Sequence, residues 1–214
     1  MKLTSANTDA APLPQLTLPE EAQRRLFLDA RSATRFLARS VPVELIKEVY
    51  EWVRWGPTGY NTSPLRIAVA ASEAARARVI SHSNDNNRPK MERAPLLLVA
   101  AMDEAYHQLS WVTAPHHAGY QEEMQGRVEH RKASAYGNGL MQLGYFIVGL
   151  RAAGLAARPM GGYDHAALDA DVLAGHAWRS EVVLGVGYPV ASGEDDGAGP
   201  RRPRLTFEQA AIVL

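Results

Sequence analysis

"RWGPTGYNTSPLRIAVA", Arg54 to Ala70, sets a dense turn between a helical pattern and an apolar run. Two prolines, two glycines, an asparagine and a serine crowd into it, more turn chemistry than a simple reversal of the chain needs. The stretch therefore predicts a loop that holds something. Upstream, "SVPVELIKEVYEWVRWG" places Leu45, Ile46, Val49, Trp52 and Val53 on one helical face, with Pro42 near the start and Gly56 and Pro57 as stop signals. Downstream, "RIAVAA" (Arg66 to Ala71) reads as a short strand of the buried kind, and "SEAARARVIS" as a helix capped by Ser72.

Further out, "EEAQRRLFLDARSATRF" is helical to about Ala30, while "APLLLVAAMD" and "EVVLGVGY" are two more strands. The former is too apolar throughout to lie at a surface. From Glu104 to His130 the pattern dissolves into polar and aromatic residues, read as a lid or insertion with a little helix. The strongest helix, roughly Lys132 to Ala153, carries Leu140, Leu143, Ile147, Val148 and Arg151 at helical spacing, together with Gly137, Gly139, Gly144 and Gly149. Each glycine costs a helix about 1 kcal/mol relative to alanine. Four of them imply a close neighbouring backbone, either in helix-on-sheet packing or in a helix–helix contact between subunits, and the residues leave both open. "PVASGEDDGAGP" reads as a flexible acidic loop. With no repeat and no dividing linker, the expectation is a loose tail over 1–20 and a single α+β domain over 21–214, with 104–130 as its lid.

The 214 residues balance 23 basic against 23 acidic side chains, so no global field draws in nucleic acid or an anionic membrane. The absence of cysteine removes disulfides, thiolate nucleophiles and cysteine-based metal sites. No signal peptide or run of about 20 apolar residues is present, and a cytoplasmic location is expected. There is no dinucleotide-binding G-x-G-x-x-G, phosphate-binding G-x-x-x-x-G-K-[ST], G-x-S-x-G or H-E-x-x-H. His107, His116, His117 and His130 are scattered rather than set at ligand spacing, so no metal site is expected.

What remains is five patches. "ARSATRF" offers Arg31, Ser32, Thr34 and Arg35. The opening loop offers Thr58, Gly59, Asn61 and Ser63. "NRPKMERAP" offers Asn87 and Lys90, "RPMGGYD" offers Pro159, Met160, Gly161 and Gly162, and "RRPRL" offers Arg202 and Arg204. Singly, each has a bland reading: solvated charges, turn caps, or arginines balancing Glu194, Asp195 and Asp196. Together they supply what a phosphate on a flat polar ring needs, namely charged forks, hydroxyls, amides and glycine for close approach.

These motifs, in the order "WGPTGYNTSPLR", "NRPKMERAPLLLVA", "MQLGYFIVGLRAAGLAARPMGGYD", "LGVGY" and "RRPRLTFEQA", resemble those of the nitroreductase-like FMN flavoproteins, nearest the branch containing the malonic semialdehyde reductase. The resemblance runs from about Leu26 to the C-terminus, apart from the insertion. It implies a sandwich with a central, mainly antiparallel sheet flanked by helices, and a homodimer with FMN at the subunit interface. Arg31, Ser32, Thr34, Arg35, Arg202 and Arg204 would hold the phosphate. Asn87 and Lys90 would face the pyrimidine edge of the ring. Pro159, Met160, Gly161 and Gly162 would line it with an N–H toward N5, and Thr58, Gly59, Asn61 and Ser63 would come from the other subunit. NADH or NADPH would deliver hydride to the flavin and depart. A nitroaromatic, quinone, enal or short aldehyde would then take it from the same face. Gly161 stands where relatives often carry an acidic residue or serine, a change that preserves a backbone donor but no side-chain role. Tyr60, Trp111, His116, His117 and Tyr120 are candidate substrate-pocket residues. Two alternatives stay open: a flavin oxidase or dehydrogenase running the same site backwards, and a flavin-binding protein without turnover.

Overall fold

In a computed structural model, the structure describes residues 18–190, 197 and 199–214; positions 1–17 of the predicted tail and most of the acidic loop lie outside them, while Glu20, placed in the tail, already opens the first helix. The centre is β2 (Leu96–Asp103), all eight of whose residues are buried. It pairs on one side with β1 (Leu65–Ala70) and on the other with β4 (Trp178–Gly187), which in turn pairs with β3 (Ala156–Met160). Every pairing in the resulting β1-β2-β4-β3 order is antiparallel. The β2–β4 register shifts between Ala100 and Ala101, so that Val182 and Ser180 become their partners and Glu181 is passed over.

Alternation along β2 splits the core in two, because successive side chains leave a strand on opposite faces. Leu96, Leu98, Ala100 and Met102 face the cluster built on α2 (Val43–Val53) and α7 (Val128–Ala152), with Ile46, Val49, Phe146 and Leu150. Leu97, Val99 and Ala101 face the opposite cluster. Val79 of α3 (Glu73–Ser81), Met91 of α4 (Arg88–Glu92) and Leu168 of α8 (His165–Val172) close that side. Ser72 caps α3 as its sequence predicts, accepting from the Ala75 N–H at 3.1 Å.

Several expectations need correction. The short strand after the opening loop is an edge strand with a half-buried middle, not a fully buried one. Trp52 lies outside the α2 core face, 49% exposed. A fourth strand, β3, went unpredicted: it ends in the first three residues of the "RPMGGYD" patch, whose arginine and proline disguise it. The helix predicted from Lys132 starts at Val128. Before it, the 104–130 segment holds a 3-10 turn at Tyr106–Leu109, α5 (Ser110–Thr113) and α6 (Tyr120–Gln125), and buries Tyr106, His107, Tyr120 and Met124. The first helix, α1 (Glu20–Gln23), continues as a π-helical stretch to Leu28.

The four α7 glycines divide by direction. A Cβ on Gly139 would collide with Met102 Sδ of β2, and one on Gly149 would come within 2.5 Å of Val53 of α2. Those two glycines serve packing inside the chain. At Gly137 and Gly144 a Cβ would meet nothing.

Candidate functional site

The opening loop has uncommon backbone geometry. Tyr60 (φ 53°), Asn61 (φ 54°) and Ser63 (φ 44°) all occupy the left-handed region, which costs an L-residue about 1–2 kcal/mol, less for asparagine. Side-chain bonds hold that strain in place. From α7, Asn138 Oδ1 accepts the Gly59 N–H at 2.6 Å, and Gln142 Oε1, one turn on, accepts the Leu65 N–H at 2.9 Å. Within the loop, the Ser63 N–H donates to Thr58 Oγ1 at 3.2 Å. Asn61 Nδ2 reaches the Thr113 carbonyl at the end of α5, 2.8 Å away. Asn138, Gln142 and Thr113 escape sequence reasoning; the one available signal is a glutamine on the inward face of an apolar helix.

The other four patches are drawn together by a chain of contacts. The Arg31 guanidinium donates to the Gly199 carbonyl, and Arg201 donates to the Leu28 carbonyl, which lays the C-terminal arginine segment beside the first patch. Arg202 and Arg204 follow on the exposed surface, and Arg204 Nη1 folds back on the carbonyls of Arg202 and Pro203, both at 3.1 Å. Ser32 and Arg35 are exposed, whereas Thr34 is buried at 9% and faces Gly197. Arg158 Nη1 donates to the Ser32 carbonyl at 2.8 Å, tying the first patch to β3, and burial pushes that guanidinium's pKa down. At the far end of β3, the Gly162 carbonyl accepts from the Asn84 N–H at 3.1 Å and from Asn87 Nδ2 at 3.3 Å. A Cβ on Gly162 would strike Asn87 Nδ2 and lie 2.5 Å from Asn84 Nδ2, so the approach depends on glycine; at Gly161 a Cβ would meet nothing. Lys90 Nζ stands 3.1 Å from Asn86 Oδ1 and 3.5 Å from Asn87 Oδ1.

The opening loop belongs to a different place. It leads into β1, whereas Pro159 and Met160 lie in β3, and these are opposite edges of the sheet. Three inter-strand spacings of about 4.8 Å separate them. The loop of Thr58, Gly59, Asn61 and Ser63 is thus anchored to α7 and α5 through Gly59 and Asn61, away from the other four patches.

Beside the loop sits an aromatic cluster. The Tyr60 ring, 78% exposed, stacks on Tyr120 at 6.4 Å between centroids, and His117 tilts against Tyr120 at 5.1 Å. Tyr120 itself is buried, and burial is the main reason its phenol is pushed up to about 12. Trp111 (on α5) and His116 are exposed, and neither joins a ring pair among the described residues. His107 is a core residue, with Nε2 2.8 Å from Gln125 Oε1 and Nδ1 3.1 Å from Arg131 Nη1.

With this geometry in view, the comparisons give a consistent answer. The nitroreductase family model matches residues 28–188. A Leptothrix cholodnii protein carrying the provisional name NADH dehydrogenase/NAD(P)H nitroreductase is 38% identical over 90% of this chain and 96% of its own length. Among solved structures, a Bacillus subtilis protein provisionally named a nitroreductase superposes with a TM-score of 0.74 at 16% identity, over 88% of this chain and 97% of its own. Another, from Exiguobacterium sibiricum and solved in complex with FMN, gives 0.73 at 17% identity, over 94% of this chain and 100% of its own. The chain belongs to the nitroreductase family.

Proposed function

We propose that the protein is an FMN-dependent NAD(P)H oxidoreductase that passes hydride to a small electrophile by a ping-pong route, working as a homodimer. Its family membership, the names of its relatives and the FMN in the Exiguobacterium protein support the cofactor and donor. The observation that carries the reading is the joining of four dispersed patches through Arg158–Ser32, Asn87–Gly162 and Arg31–Gly199.

The donor set fits FMN. Arg31, Arg202 and Arg204 provide guanidinium forks for a phosphate dianion, with Ser32 and Arg35 beside them. Lys90 and Asn87 offer a cation and an amide to the polar edge of a planar ring. Gly161, where even a Cβ would meet nothing, lets a ring come close to the backbone, and an N–H there orients it. When bound, FMN accepts hydride from a reduced nicotinamide and returns it to the acceptor. The protein's part is to bind and orient: the arginines fix the phosphate end, and Lys90 stabilises negative charge on the pyrimidine edge.

Subunit pairing is supported by what one chain leaves uncovered. Gly137, Leu140, Met141, Gly144 and Tyr145 form an exposed stripe on α7, opposite its buried face of Ala135, Gly139, Gln142, Phe146 and Leu150. A helix apolar on both faces is one that is buried on both. Near the C-terminus, α9 (Phe207–Ala210) exposes Phe207, and Ile212, Val213 and Leu214 beyond it are also exposed. Pairing through α7 brings the partner's 58–63 loop and Tyr60 to the flavin, with His117 and Tyr120 behind Tyr60 and Trp111 and His116 at the rim. Planar acceptors such as quinones and nitroaromatics suit that wall, alongside enals and short aldehydes. A cytoplasmic setting, where NAD(P)H is available, belongs to the same reading; no described helix is long and apolar enough to cross a membrane.

The test is spectroscopic. The purified protein should bind FMN, and stopped-flow mixing with NADH or NADPH should bleach the visible band of the oxidised flavin, with colour restored by menadione or nitrofurazone. Failure of both nicotinamides would favour the oxidase or dehydrogenase reading, bound FMN with no acceptor turnover a carrier, and no FMN binding would remove the proposal.

A further inference from the structure

We propose that Asn138 is a positioning residue for the flavin: by holding the Gly59 N–H, it keeps the strained 58–63 loop in the conformation that meets the cofactor. The inference rests on the FMN reading above and assigns to that site a residue outside all five patches. Three observations carry it.

First, the loop is strained where it is polar. Tyr60, Asn61 and Ser63 all have positive φ, a conformation that a free loop of L-residues leaves for the ordinary α or β regions. Second, the restraint comes from outside the loop and is specific. Asn138 Oδ1 accepts the Gly59 N–H at 2.6 Å, immediately before the strained residues, and Gln142 Oε1 accepts the Leu65 N–H just after them. The Asn138 side chain is itself aimed, because Nδ2 donates to the Ser134 carbonyl at 2.9 Å and to Ser134 Oγ at 3.2 Å. Its oxygen is thereby left to face the loop. Third, the position is adjacent in sequence to the uncovered stripe of α7, since Gly137 and Leu140 flank it on the surface. The helix that meets the other subunit also shapes the loop offered to that subunit's flavin.

Gln142 and Asn138 differ in consequence. Gln142 is buried and ends the loop at the start of β1, so its loss disturbs the sheet. Asn138 is half-buried; beyond its bonds to Ser134 on its own helix, it holds the loop through the Gly59 N–H. The informative pair is therefore Asn138→Leu, which keeps size and removes the acceptor, and Asn138→Asp, which keeps an acceptor oxygen.

Three readouts on the full-length protein test the inference. Titration with FMN should show affinity about ten-fold weaker in N138L, the effect of one lost hydrogen bond with a stranded donor, and largely recovered in N138D. Visible circular dichroism of bound FMN should change in N138L and return toward wild type in N138D, a signature that a general loss of stability does not produce. Amide hydrogen exchange on protein stripped of flavin should find Gly59 protected in wild type and N138D and unprotected in N138L. Unchanged FMN affinity and dichroism in folded N138L would overturn the inference and leave the functional reading standing. Absence of FMN binding by wild type would overturn both, and the exchange data would still say whether the Asn138–Gly59 clamp exists. Equal loss in N138L and N138D would overturn the acceptor role.

Discussion

Adding one methyl group at Gly144 separates an isolated subunit from a paired one. In the single chain a Cβ there meets no atom within 4 Å, and Gly144 sits mid-helix in α7. Alanine then stabilises the helix by about 0.8–1.0 kcal/mol. For a chain of this size that raises the unfolding midpoint by about 2–4 °C. If the α7 stripe is packed against a second copy, the same methyl is inserted into a filled interface. Overpacking costs about 1–3 kcal/mol per site. In a two-fold dimer the site occurs twice. The dimer is then weakened by about 2–6 kcal/mol, roughly 30-fold to more than 10⁴-fold in dissociation constant. Sedimentation equilibrium over a dilution series measures this directly, and differential scanning fluorimetry follows the fold. Gly139→Ala is the control, because its methyl runs into Met102 Sδ of the same chain and destabilises the fold whatever the assembly. A Gly144→Ala protein with a raised midpoint and an unchanged dimer constant would refute the argument that this face is buried.

Three further outcomes are expected. Arg204→Ala should weaken FMN binding by about ten-fold, the low end of the range for a charge-assisted hydrogen bond because the side chain is exposed, measured by fluorescence titration. Lys90→Met should make bound flavin harder to reduce; each 1.4 kcal/mol of lost stabilisation lowers the two-electron potential by about 30 mV, read by dye-linked potentiometry. Hydrogen bonds from Arg78 (2.6 Å) and His82 (3.0 Å) hold Asp171 down to about 2. A depressed carboxylate pKa contributes stability that is fully present above the unfolded value near 4 and is lost as pH falls through about 2. Chemical denaturation should accordingly show wild type losing its advantage over Asp171→Asn across that window; a stability difference independent of pH between 5 and 2 would contradict the pairing.

Chain-local physics made much of this protein legible in its residues. The apolar run at 96–102 reads as a strand buried on both faces, because a strand with one side in solvent carries polar residues at alternate positions and this one has none, and it is the central strand. Ser72 before a helical pattern marks a cap, and the cap is there. The order of the patch motifs carried the resemblance to the family, and the family model matches residues 28–188. Tertiary structure alone decided the rest. β3 was hidden because Arg158 and Pro159 carry no strand propensity; pairing with β4 makes it a strand. The direction of each α7 glycine depends on which neighbour occupies its side of the helix, and no local pattern contains that neighbour. The hold of Asn138 on Gly59 spans 79 positions of sequence, so it exists only once α7 has docked beside the loop. Local propensities and periodicities are properties of neighbouring residues, whereas the strain in Tyr60–Ser63 and the bonds that sustain it belong to segments brought together by the burial of a common core.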